Sequence, residues 1–102
     1  MVASHRACYR KSVILRADYT TAHGGPFLGV VRNLSLQGMY LDGVGHVAPG
    51  DLLTAAFVLP TGQPCKLQAA VVRRDGQGCG VQFQHFHPQS LINFMRYWTS
   101  LN

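Results

Sequence analysis

From Ser12 the chain alternates apolar and polar residues: Val13, Leu15, Ala17 and Tyr19 fall on one face, and Ser12, Ile14, Arg16 and Asp18 on the other. A two-residue period marks an extended strand with one face turned to a core. The pattern recurs. Cys65, Leu67, Ala69 and Val71 alternate with Lys66, Gln68, Ala70 and Val72, and Cys79, Val81 and Phe83 alternate with Gly80, Gln82 and Gln84. Further extended segments stand at 27–32, 39–41 and 52–59, separated by turn-forming residues. Thr20 to Pro26 reads as a connector, 42–50 as a glycine-rich loop, and Asp75-Gly76 as a hairpin turn.

After Pro88 the period changes. Leu91, Phe94, Met95, Trp98 and Leu101 recur at helical spacing, and Pro88 suits a first helical turn. Six short strands followed by one helix over about 88–101 predict an all-β fold with a C-terminal helix. A six-stranded antiparallel barrel is the expected form, because closure removes exposed strand edges. The helix then lays its apolar face over one barrel mouth. With 102 residues the chain amounts to one domain: a basic, aperiodic arm over 1–11 and the barrel with its helix over 12–102.

Charge narrows the function. Lys and Arg number 9 against 4 Asp and no Glu, a formal net charge of +5, so an anionic partner is expected and paired-carboxylate chemistry is not. Nearly all the positive charge is arginine (Lys11 and Lys66 are the lysines), and a guanidinium fork suits phosphate or a base edge. No apolar stretch approaches the roughly 20 residues of a membrane helix, and the N-terminus opens into no export-signal run. Three cysteines, Cys8, Cys65 and Cys79, form no Cys-x-x-Cys pair, which fits a reduced, cytoplasmic setting. No nucleophile–base arrangement stands out, so an enzyme is not expected. His85 and His87 share a strand face, but that face continues Cys79, Val81 and Phe83 toward the core, and no metal site is read there. Cys79 reads as a small core residue.

Two short elements remain. Arg6-Ala7-Cys8-Tyr9-Arg10 is an Arg-x-x-x-Arg in the arm, and Asn33-Leu34-Ser35-Leu36-Gln37-Gly38 is an Asn-x-Ser-x-x-Gly between the second and third strands. Alone, each is ordinary: a solvated pair of arginines, and residues common in turns. In this order and context the sequence resembles the PilZ family of bacterial cyclic di-GMP receptors, whose signature is Arg-x-x-x-Arg followed roughly 20 to 30 residues later by Asp/Asn-x-Ser-x-x-Gly. The segment from Arg74 to Phe83 resembles that family's last hairpin, and the terminal helix its closing helix.

The resemblance implies a PilZ-type barrel with the ligand on its outer surface, clamped by the arm. It places Arg6 and Arg10 on guanine edges and phosphates, Asn33 on polar atoms of one guanine, and Ser35 in a nearby hydrogen bond. Gly38 would admit the ligand close to the backbone. An arginine fork matches guanine O6 and N7, or two phosphate oxygens. His5 stands where many members carry a further arginine, and is an additional candidate for ligand contact. Arg74, set outward beside Val72 by alternation, is another, against its plainer reading as a solvated hairpin end. Asn33 is the less acidic variant of its position, with one acceptor oxygen where a carboxylate has two.

The expected function is thus a non-catalytic receptor with cyclic di-GMP as ligand and no cofactor. With five residues before Arg6 and none beyond the helix, the signal is expected to pass in trans to a separate effector protein. Neither membrane insertion nor nucleic acid is expected. Two other readings stand beside it: a PilZ-like adaptor that binds protein without nucleotide, and a small barrel binding single-stranded nucleic acid. The second would want aromatics interleaved with basic residues on exposed strands, whereas the arginines here gather at the arm and turn.

Overall fold

The structure is a computed structural model that describes residues 10–45 and 47–101. Six antiparallel strands form a closed barrel: β1 (Lys11–Thr21), β2 (Gly24–Leu34), β3 (Gly38–Asp42), β4 (Leu52–Val58), β5 (Pro64–Arg74) and β6 (Gly78–Phe86). Their order around the barrel is β1-β2-β3-β6-β5-β4, and β4 pairs back on β1 through Ala17 opposite Phe57. One helix, α1 (Pro88–Ser100), follows. The expected six-stranded barrel with a C-terminal helix is the observed fold.

The alternation read along β1 holds: Val13, Leu15, Ala17 and Tyr19 are buried and their neighbours point outward. Inward residues of all six strands meet in one core, in which Val31, Leu41, Ala55, Leu67, Ala69 and Cys79 are almost wholly excluded from water. Each fully buried aliphatic side chain contributes roughly 1.5–3 kcal/mol relative to exposure. At the barrel end that receives the β1–β2 and β5–β6 hairpins, Val44 and Val47 of the long β3–β4 connection fold inward and join this core.

The expected connector at Thr20 to Pro26 is shorter than the composition implied. Thr21 pairs with Gly24, so only Ala22 and His23 make the turn, and Gly24-Gly25-Pro26 belongs to β2. Glycine permits this: Gly25 has φ +121°, and a Cβ there would lie 2.9 Å from the Tyr19 carbonyl oxygen. Pro26 costs no ladder bond on the β3 side, because β3 pairs with β2 only from Val30 onward.

The helix closes the opposite end, where β1, β3 and β5 begin, but it presents a different face from the expected one. Ser90, Asn93, Phe94, Tyr97 and Trp98 are buried, whereas Leu91 and Met95 are exposed. The reason is polar. At its start β5 offers backbone groups that need partners. Ser90 Oγ accepts from the Lys66 N–H at 2.9 Å, and Asn93 Nδ2 donates to the Pro64 carbonyl at 2.9 Å. Phe94 then packs on Phe83 and Phe86, with ring centroids 5.5 and 5.2 Å away. Lys11, the first residue of β1, pins the last turn. Its Nζ donates to the Trp98 and Leu101 carbonyls, both at 2.9 Å, and lies 4.2 Å from the Trp98 ring centroid.

Candidate functional site

The turn between β2 and β3 is built by the Asn-x-Ser-x-x-Gly segment itself. Ser35 is buried, and its Oγ accepts from the N–H groups of Gln37 (3.1 Å) and Gly38 (3.0 Å) while donating to the Gly38 carbonyl. The Ser35 N–H also donates to the Gly38 carbonyl, at 2.8 Å. The hydroxyl is therefore engaged inside the turn. Gly38 meets a different constraint. A Cβ at that position would lie 2.1 Å from the Val81 carbonyl oxygen, so β3 can approach β6 here only without a side chain. The close approach seen at Gly38 is thus that of a neighbouring strand.

Asn33 sits just before this turn, and a register shift decides where it points. Val31 opposes Leu41 and Asn33 opposes Tyr40, so β2 carries one extra residue against β3. That bulge sets Arg32 and Asn33 side by side between two inward residues, Val31 and Leu34. Arg32, exposed, pairs with Asp42 at 3.3 Å, which locally offsets part of its charge. Asn33 is met from the other direction by the arm. Arg10 Nη1 donates to Asn33 Oδ1 at 2.8 Å, a hydrogen bond across 23 residues of sequence. Two motifs that are distant in sequence are thereby joined on the outer wall of the barrel.

Two grooves meet at that junction. One, of about 730 Å³, is lined by Ser12, Ile14, Arg32, Asn33 and Tyr40 among others; the second, of about 170 Å³, runs across β3, β6 and β5 from Arg10, Ser35 and Gly38 to Val72, Arg73 and Gln82. Tyr40, beside Asn33 on β3, is held by its hydroxyl, which donates to Asp75 Oδ1 at 2.8 Å and Oδ2 at 2.9 Å. The Asp75 carboxylate also accepts from the N–H groups of Gln77 and Gly78. These bonds, those of the two backbone amides and of Tyr40, hold its carboxyl below the usual range, and the Asp75 acceptor pushes the Tyr40 phenol up to about 12.

The remaining expectations divide. Arg6 and His5 lie outside the described residues. Arg74 does not line either groove, because β5 carries an extra residue at Val72: Val71 opposes Val81, but Arg73 opposes Gly80 and Arg74 opposes Cys79. Since Cys79 is buried, Arg74 falls on the inner side at the barrel rim, and Arg73 takes the outward place that simple alternation gave to Arg74. A second bulge, at Gln84, flips the end of β6. His85 opposes Gln68 and Ala69 opposes Phe83, so His85 is exposed and Phe86 turns toward the core, which reverses the expected inward histidine face. Among the described residues no three His, Cys, Asp or Glu side chains gather as a metal site would need. Cys65 and Cys79 are buried free thiols, pushed up by burial to about 12 and about 11, so both stay protonated near neutrality. No helix among the described residues is long and apolar enough to cross a membrane.

Comparison with known proteins agrees with this architecture. The chain is similar to the crystal structure of a PilZ domain of CeSA from a cellulose-synthesizing bacterium, with a TM-score of 0.68 and 17% sequence identity over 86% of this chain and 92% of that one. No curated protein matches significantly. The PilZ domain family model, however, matches residues 4–98, a span that takes in both motifs, all six strands and most of the helix. The chain therefore belongs to the PilZ domain family.

Proposed function

We propose that this PilZ domain is a cyclic di-GMP receptor whose site lies on the outer wall around Arg10 and Asn33. The observation that carries the reading is the 2.8 Å hydrogen bond from Arg10 to Asn33, which brings the last arginine of one motif to the first residue of the other. Cyclic di-GMP bears two phosphates and two guanines, and each guanine offers O6 and N7 as paired acceptors. The Arg10 guanidinium has donors left after serving Asn33, and a planar fork suits either acceptor pair. Asn33 presents its amide to a second guanine edge. Ser35 and Gly38 act mainly by fixing the turn that carries Asn33, one through its hydroxyl and the other through the missing side chain. Arg6 joins from the arm as a further cation.

Binding then orders the arm against β2 and β3, and the changed surface is read by a separate effector protein. This is a binding function without a chemical step. Its test is calorimetry with cyclic di-GMP on the wild-type chain and on Arg10→Ala. Each charge-assisted hydrogen bond contributes roughly 1.5–3 kcal/mol net, so losing the Arg10 fork is expected to weaken binding by at least tenfold. The circular dichroism of the barrel should not change, because Arg10 is exposed and contributes nothing to the core. Unchanged affinity in Arg10→Ala removes this site from the reading. Wild-type protein that gives no heat at micromolar ligand favours an adaptor that binds protein alone.

A further inference from the structure

The bulge at Val72 has a functional reading. It turns Arg73 outward, into the same groove that Arg10 lines from the other side. Beneath Arg73 is Gly80, directly opposite in the β5–β6 register. The side chain lies so flat on that glycine that an added Cβ would come within 2.9 Å of Arg73 Nε and 3.3 Å of its Cγ. Any larger residue at 80 would lift the arginine off the wall. Among the described residues Arg73 makes no ion pair and donates no side-chain hydrogen bond; its charge acts through space on the Asp75 carboxylate, and its fork keeps its donors for a ligand.

From Asn33 on β2 to Arg73 on β5 the wall crosses β3 and β6, three strand spacings or about 14 Å. A ligand with two bases and two phosphates needs contacts at two separated points. We infer that Arg73, laid across Gly80, is a further ligand-binding arginine of this domain beside those of the arm, which grips the half of the ligand remote from Asn33 through a pair of acceptor atoms. The inference rests on the cyclic di-GMP reading above. Two phosphate oxygens, or O6 and N7 of the distal guanine, satisfy the same fork.

The test is calorimetric titration of cyclic di-GMP into wild type, Arg73→Ala and Gly80→Ala. Arg73→Ala is expected to weaken binding by about tenfold or more, the scale of one charge-assisted contact. The three atoms nearest to a Cβ added at Gly80 all belong to the flexible Arg73 side chain, so the barrel should tolerate Gly80→Ala while the fork is displaced and binding falls. In the Arg73→Ala background the Gly80→Ala change should cost little more. A guanine analogue with N7 replaced by C–H separates the two sources. Equal losses in wild type and Arg73→Ala assign the fork to phosphate, and a loss confined to wild type assigns it to the base. If wild type binds and Arg73→Ala binds within twofold of it, the inference is overturned and the receptor reading stands. If wild type itself does not bind, the receptor reading fails and takes this inference with it.

Discussion

At Asn33 a single amide oxygen serves two masters. Arg10 already occupies one of its lone pairs at 2.8 Å, and a guanine N1–H and N2–H edge would compete for what remains. Asn33→Asp supplies a second oxygen and a negative charge, so the bond to the guanine edge becomes charge-assisted, as the one from Arg10 already is, and is worth about 1 kcal/mol more. Cyclic di-GMP should then bind about fivefold more tightly by calorimetry, and equal or weaker affinity contradicts the proposed role of Asn33. The identity of such residues was legible from motif spacing. Their local duties were not. Ser35 spends its hydroxyl inside the turn, on Gln37 and Gly38, and Gly38 is empty for the sake of Val81, on a strand more than 40 residues onward.

Alternation located β1, β5 and β6, because each buries one face against a common core and the two-residue period survives in the sequence, and extended runs between turn-forming residues located the other three. Bulges escaped it. One extra residue leaves local hydrophobicity unchanged while reversing every side chain beyond it, which is why Arg73 replaced Arg74 and His85 turned outward. The helix face was misread for a related reason: Ser90 and Asn93 are buried to satisfy strand backbone, and periodicity counts only apolar residues. Lys11 belongs to this scale too, since it ties the first strand to the final helical turn. Lys11→Met keeps the aliphatic stem and removes the donors. Loss of these bonds should lower unfolding free energy by about 1–3 kcal/mol in urea titration and speed amide exchange in the last helical turn. Wild-type stability and exchange would show that the lysine is not a pin.

Over the whole molecule, the buried thiols impose an alkaline limit. Burial raises Cys65 from 9.0 to about 12 and Cys79 from 9.0 to about 11, and the Asp75 acceptor raises Tyr40 from 10.0 to about 12. The native chain thus holds protons that the unfolded chain releases. Stability from these groups is complete below about pH 9 and declines as pH rises toward 11 and 12. Asp75 acts in the opposite sense: its carboxyl is lowered from 3.8, so its contribution is present above that value and lost in stronger acid. The urea midpoint should fall between about pH 9 and pH 11, and a flat profile there contradicts the burial of the thiols.

The wall around Arg10 and Asn33 is one side of a closed barrel, and the wall of β1 and β4 around Asp18 and Ala56 lies away from it. Amide chemical-shift mapping by nuclear magnetic resonance, during titration with cyclic di-GMP, separates the two directly. Binding at the proposed site should move the amides of Asn33, Gln37, Tyr40, Gly80 and Arg73 and leave those of Asp18, Ala56 and Val58 in place. Shifts confined to the β1–β4 wall, or no shifts at saturating ligand, would contradict it.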